Sequence, residues 1–202
     1  MSGVSGAFFP FWSPDSRFIA FWTPEGLKKV SVEGGAAISI TKSQPFGGTW
    51  NRNGVILIGS SPGPLLQVAE NGGDVKPVLT LDKARGETSQ IWPQFLPDGR
   101  KFLYLSRANT KNAVYLGSLG SSERRKVLDV ESQAIYARGH LLFIKGESLM
   151  AQPFDVSSGQ LTGDSFRVAD KVGTTTQGLS GSCCRHRIPA FWRSGTVSKR
   201  PR

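Results

Sequence analysis

Phe11-Trp12-Ser13-Pro14-Asp15-Ser16-Arg17-Phe18-Ile19-Ala20-Phe21 and Gln94-Phe95-Leu96-Pro97-Asp98-Gly99-Arg100-Lys101-Phe102-Leu103-Tyr104 are two versions of one phrase, 83 residues apart. A weaker copy lies between them, Trp50-Asn51-Arg52-Asn53-Gly54-Val55-Ile56-Leu57-Ile58. A fourth follows, Tyr136-Ala137-Arg138-Gly139-His140-Leu141-Leu142-Phe143-Ile144. With Trp12, Trp50, Phe95 and Tyr136 aligned, the starts fall 38, 45 and 41 residues apart.

Short apolar runs repeating every roughly 40–45 residues have the spacing of a four-stranded propeller blade. The chain therefore reads as an all-β protein, a β-propeller with four visible four-stranded blades at about 8–42, 47–80, 90–129 and 133–170. The first repeat predicts strands at Phe8–Trp12, Phe18–Phe21, Leu27–Val32 and Ala37–Thr41. The second predicts Gly48–Trp50, Val55–Ile58, Leu65–Val68 and Val75–Leu79. The third predicts Ile91–Phe95, Phe102–Leu105, Ala113–Leu116 and Arg125–Leu128. The fourth predicts Ala134–Tyr136, Leu141–Ile144, Leu149–Phe154 and a less distinct strand near Phe166–Ala169.

Turn chemistry recurs in phase with these strands. Pro14-Asp15-Ser16 and Pro97-Asp98-Gly99 are tight-turn sequences, in which Pro presets φ and Asp accepts from backbone N–H groups just ahead. Glu33-Gly34-Gly35 and Asn71-Gly72-Gly73 fall between third and fourth strands, where a hairpin needs positive φ. Ser121-Ser122 takes that place in the third repeat. Second strands such as Phe102-Leu103-Tyr104-Leu105 are apolar on both faces, as a sheet stacked between neighbours must be. Trp12, Trp50, Trp92 and Phe95 are expected to fill the spaces between blades.

Composition bounds the function. The chain has 202 residues, 38% hydrophobic, with 24 Gly and 12 Pro, which suits a turn-rich protein and disfavours long helices. No apolar run approaches the ~20 residues that cross a bilayer. The N-terminus lacks the basic start and apolar stretch of a signal peptide. The net charge is +10, yet residues 171–202 alone hold seven basic residues and no Asp or Glu. The repeat region carries only +3, without the basic stripe of a nucleic-acid reader, so no nucleic acid is expected as partner. Residues 1–172 are read as the blades, and 173–202 as a basic tail, disordered or frame-shifted.

The phrase Trp12-Ser13-Pro14-Asp15-Ser16-Arg17, and more closely Phe95-Leu96-Pro97-Asp98-Gly99-Arg100, resembles the TolB-type, WD40-like propeller repeat. Gly47-Gly48-Thr49-Trp50-Asn51, Gly86-Glu87-Thr88-Ser89, Trp92 to Gly99 and Leu149-Met150-Ala151-Gln152-Pro153-Phe154-Asp155 resemble the propeller region that follows the kinase domain in bacterial membrane-linked serine/threonine kinases. The likeness covers roughly residues 8–172. It implies a sensing or interaction module and a periplasmic or extracytoplasmic location. Four blades can close a ring in principle, but propellers of this type usually have six or more, which favours an incomplete ring, open at its first and last blades, over a compact four-bladed one.

The search for chemistry yields no catalytic, cofactor-binding or metal-binding residues. There is no kinase motif, no Gly-x-Ser-x-Gly elbow and no phosphate-cradling Gly-rich loop. His140 and His186 are too few for a zinc site, and His140 reads as a strand-turn residue. Cys183 and Cys184 are adjacent, and a bond between them would be strained. Asp15 and Asp98 share one rim of the ring, where a cation or a basic partner could bind, although turn capping accounts for both. The sequence thus predicts a non-catalytic module that binds a protein or peptide partner. Two alternatives stand beside it. One is a non-functional gene fragment, motivated by the abrupt start and the compositional break after Val172. The other is a propeller enzyme, which would need convergent His and carboxylates.

Overall fold

The computed structural model describes residues 6–43 and 46–172. Expectations placed on residues 173–202, including the basic tail, Cys183, Cys184 and His186, lie outside the described residues. The first sheet comprises β1 (Phe8–Trp12), β2 (Phe18–Thr23), β3 (Gly26–Ser31) and β4 (Ile38–Thr41). The second comprises β5 (Gly48–Trp50), β6 (Val55–Ile58), β7 (Leu66–Ala69) and β8 (Lys76–Pro77). The third comprises β9 (Glu87–Phe95), β10 (Lys101–Ala108), β11 (Ala113–Ser118) and β12 (Arg124–Leu128). The fourth comprises β13 (Ala134–Ala137), β14 (His140–Lys145), β15 (Ser148–Asp155), β16 (Gln160–Leu161) and β17 (Phe166–Ala169). Every pairing between these strands is antiparallel, and consecutive strands are neighbours except that β16 and β17 both pair with β15.

The turns form for the reasons their residues supply. Ser16 (φ 60) and Gly99 (φ 67) occupy the left-handed position of equivalent turns. The Asp15 carboxylate accepts from the Ser13 hydroxyl (2.6 Å) and the Arg17 N–H (3.0 Å). Asp98 accepts from the N–H groups of Arg100 (2.9 Å) and Lys101 (2.8 Å). Gly34, Gly35, Gly72 and Gly73 all have positive φ, as the hairpins between third and fourth strands demand.

Strand alternation places three apolar cores between four sheets. Ala20, Trp22 and Leu27 meet Trp50, Ile56 and Ile58 between the first and second sheets. Leu57 and Leu65 meet Phe102, Tyr104 and Tyr115 between the second and third. Leu103, Leu105 and Val114 meet Leu141, Phe143 and Phe154 between the third and fourth. Ile56 and Leu57, like Phe102 and Leu103, thus serve opposite cores, which is why these strands are apolar on both faces. Among the described residues no fourth core joins the last sheet to the first, and the sheets form an open arc.

The open geometry corrects one expectation. Trp12 does not fill a space between blades; it is 58% exposed. It pairs with Ile19, whereas Ala20 and Trp22 face the second sheet, so its ring lies on the face that has no adjoining sheet. Ile135 (40% exposed) has the corresponding fate on the fourth sheet, because Leu141 and Phe143 take the face toward the third. Trp50 is buried, and Trp92 and Phe95 pack half-buried against the cores, as expected.

The third sheet departs from the prediction at its start. β9 begins at Glu87, four residues before the first apolar residue of that strand. Glu87, Ser89 and Gln90 are polar and buried, so no hydrophobic alternation marks this part of the strand.

Candidate functional site at the axial mouth

The four innermost strands, β1, β5, β9 and β13, line one axial cavity of about 440 Å³. The repeat alignment puts Phe11, Thr49, Gln94 and Ile135 at one position, and each of the first three reaches the next sheet. Phe11 lies so close to Gly48 that a Cβ there would fall 2.5 Å from its ring. Thr49 Oγ1 accepts from the Phe95 N–H at 3.1 Å. Gln94 accepts from the Tyr136 N–H at 2.6 Å and donates to the Tyr136 carbonyl at 3.3 Å. Ile135 has no further sheet to reach, which explains its exposure.

Strain concentrates along this axis. Phe9 (φ 48), Gly47 (φ 80) and Trp92 (φ 55) occupy equivalent positions, all in the left-handed region. Bulky residues there cost on the order of 1–3 kcal/mol each and persist only where packing over-determines them. The packing is visible: the Phe9 and Trp92 rings meet edge to face, 4.9 Å apart at 85°. A Cβ on Gly47 would lie 2.7 Å from the Trp92 ring, so this copy of the repeat requires glycine.

At the end of the axis that carries the hairpin turns, a second cavity of about 310 Å³ opens. Trp50, Phe95, Leu96 and Tyr136 supply its apolar wall, and Pro14 and Pro97 its lip. Buried Asn51 ties two of these turns together. Its amide donates to the Gly99 carbonyl (2.8 Å) while its oxygen accepts from the N–H groups of Asn53 and Val55. Each of the four turns carries an exposed arginine, Arg17, Arg52, Arg100 or Arg138. Among the described residues none of the four forms an ion pair within 4.0 Å.

Asp15 and Asp98 do lie in equivalent turns, and both serve as turn caps. The Ser13 hydroxyl, then the Arg17 N–H, hold the Asp15 carboxyl below its ordinary 3.8. No group of three or more His, Cys, Asp or Glu among the described residues is arranged to hold a metal ion. His140 begins β14, donates from Nδ1 to the Arg138 carbonyl (3.1 Å) and packs edge-on against Phe166. No described helix is long and apolar enough to cross a membrane.

A buried polar cluster lies away from the axis and was not legible in the sequence. Glu87 accepts from Arg124 (3.0 Å), Gln90 (3.1 Å), the Asp82 N–H (2.7 Å) and the Ser106 hydroxyl. Gln90 also accepts from the Leu65 N–H (3.0 Å) and donates to the Thr80 carbonyl (3.2 Å). Burial, and then the Glu87 carboxylate, push the nearby Tyr104 hydroxyl far above its ordinary range. The resemblance of Gly86-Glu87-Thr88-Ser89 to the kinase-linked propellers gave no sign of this role. Glu87 ties β9 to β10, to β12 and to the segment that leads in from the second sheet, while Gln90 reaches Leu65 beside β7.

This arrangement has solved counterparts. Regucalcin, a calcium-binding protein from Agrobacterium tumefaciens str. C58, superposes with a TM-score of 0.61 at 16% identity, over 84% of this chain and 61% of that one. The Cps50 (Swd1) β-propeller domain of Myceliophteria thermophila superposes with a TM-score of 0.59 at 12% identity, over 85% and 59%. The fold is a β-propeller. An oligogalacturonate lyase in complex with manganese also matches, with a TM-score of 0.53 at 13% identity, over 83% and 66%. The propeller chain spans roughly three fifths of the length of the first two proteins. No family model matches the sequence, and no curated protein matches it.

The lyase corrects the expectation of a non-catalytic protein. That expectation rested on the fold and on the absence of familiar catalytic motifs, and the same fold carries an enzyme. Chemistry resides in sites grafted onto a propeller, not in the blades, so the fold gives no ground for excluding it.

Proposed function

We propose that the propeller is a recognition module that takes a peptide or protein segment at its axial mouth. The observation that carries this reading is the convergence of all four hairpin turns on one end of the axis. There they present an apolar wall lined also by Arg52, and the turns carry three further exposed arginines, Arg17, Arg100 and Arg138; none of the four forms an ion pair among the described residues. Apolar anchoring with peripheral charge is the usual division of labour in peptide recognition. Unpaired arginines favour a segment carrying carboxylates, through charge-assisted hydrogen bonds. The likeness of the repeats to the TolB-type propellers of membrane-linked kinases supports a sensing role, in which occupancy of this mouth would be the signal.

The test is selection of peptides from a displayed library against the full chain, followed by calorimetric titration. The expected result is an acidic consensus whose affinity falls at least about tenfold on Arg52→Glu plus Arg138→Glu. Both side chains are exposed, so circular dichroism should be unchanged. Failure to select a consensus, or affinity indifferent to the charge reversal, would overturn the reading.

A further inference from the structure

Lys29 is a buried lysine without a carboxylate. It lies on β3 on the face toward the second sheet, opposite Ala20, and is only 7% exposed. Its Nζ donates to Asn71 Oδ1 at 3.2 Å and lies 5.3 Å from the Phe18 ring centroid and 5.6 Å from that of Trp50. The nearby acids are otherwise engaged. Glu70 accepts from Trp50 Nε1 at 3.0 Å, and Asp15 accepts from Ser13 and the Arg17 N–H. A buried charge normally requires a counter-charge, and two aromatic faces supply only part of one.

This lysine borders an open cavity of about 620 Å³ between the first two sheets. Arg17 and Arg52 also line the cavity, and neither has an ion-pair partner among the described residues. One buried ammonium, two exposed guanidinium groups, the Asn71 amide and the hydrogen-bonded carboxylates of Asp15 and Glu70 therefore surround one space, with three positive charges to two negative. Among the described residues none of the three cations forms an ion pair within 4.0 Å, so one positive charge in excess faces the space.

We infer that this cleft is an oxyanion site, in which Lys29, Arg17 and Arg52 hold a carboxylate or phosphate group. The group would enter past the exposed arginines and complete the coordination of the Lys29 ammonium between the Phe18 and Trp50 rings. Electrostatic attraction is strong there because Lys29 is withdrawn from water. The site adjoins the axial mouth, shares Arg52 with it and takes Arg17 from one of its turns, whereas Lys29 lines the cleft and not the mouth, so small anions and Lys29→Met test it independently of any peptide.

The experiment compares the thermal midpoint of the full chain in inorganic phosphate, acetate and chloride at matched ionic strength. A ligand that binds only the folded state raises the midpoint with concentration. Phosphate or acetate is expected to raise it above chloride, and the stronger of the two identifies the preferred oxyanion. The apparent affinity should fall about tenfold or more in Lys29→Met and by a smaller factor in Arg52→Gln. Arg52 is exposed, so its variant keeps the test decisive even if Lys29→Met fails to fold. Equal midpoints in all three salts, or an unchanged affinity in Arg52→Gln together with a folded Lys29→Met, would overturn the assignment.

Discussion

Arg124 on β12 donates to Glu87 on β9 at 3.0 Å, joining the two edge strands of the third sheet through one buried ion pair. The Glu87 side chain is 1% exposed and that of Arg124 20%. Arg124 also lies 3.5 Å from Asp82 and donates to the Thr80 carbonyl at 3.0 Å, in the segment that leads from the second sheet into the third. The pair thus clamps the passage between blades just beyond Leu79, the last buried apolar residue before the third sheet.

Removing one partner of a buried pair costs more than removing both, because the survivor stays desolvated. Glu87→Leu should destabilise the fold by about 3 kcal/mol. The double variant Glu87→Leu/Arg124→Met should recover most of that loss. Urea unfolding of the four members of this cycle measures both effects. A single variant within about 0.5 kcal/mol of wild type would show that the clamp is dispensable.

The two aligned tryptophans should respond differently to the same substitution. Trp50 is 6% exposed between the first two sheets, so Trp50→Ala should cost about 3–5 kcal/mol. Trp12, at 58% exposed, should cost less than about 1 kcal/mol. Denaturation midpoints check the contrast, and similar losses for both would contradict the open arc.

Gly47 combines φ 80 with a close approach to the Trp92 ring, 2.7 Å from where a Cβ would sit. Gly47→Ala should therefore cost about 1–3 kcal/mol and disturb the Trp92 environment. Near-ultraviolet circular dichroism and thermal melting together read both consequences.

Ser16 holds φ 60 in the turn where the third repeat has Gly99. Left-handed backbone costs a non-glycine residue about 1–2 kcal/mol, and glycine's extra unfolded-state entropy offsets part of the relief. Ser16→Gly should stabilise the fold by about 0.5 kcal/mol, a rise in the melting midpoint that calorimetry resolves.

The Asp15 carboxyl titrates below its ordinary 3.8 in the folded protein because the Ser13 hydroxyl and the Arg17 N–H bond to its charged form. A depressed folded value means the contribution is fully present above about pH 4 and is lost as pH falls through the folded value. Asp15→Asn should therefore flatten the decline in melting temperature below pH 4 and leave the slope near neutrality unchanged. Parallel acid limbs for the two proteins would count against this role.

Much of the fold was legible because it is written in local, repeated chemistry. Phe8–Trp12, Gly48–Trp50, Val55–Ile58 and Phe166–Ala169 have the bounds their residues predict. The Pro-Asp turns cap as Asp15 and Asp98 require. The start of β9 was illegible, because Glu87 and Gln90 are buried by hydrogen bonding and leave no apolar period to read. Nothing in the sequence marked Lys29, for the related reason that its neighbours Asn71 and Trp50 come from the second repeat.

The sequence alone determined the repeat, its phase and the two-faced apolar strands, since all three follow from residues near one another along the chain. Only the tertiary structure decided which of those faces is covered. Trp12 and Trp50 occupy the same place in the repeat, and period-two alternation assigns a side chain to a face without saying whether another sheet lies against it. Coverage depends on the arc, which buries Trp50 against the first sheet and leaves Trp12 facing solvent.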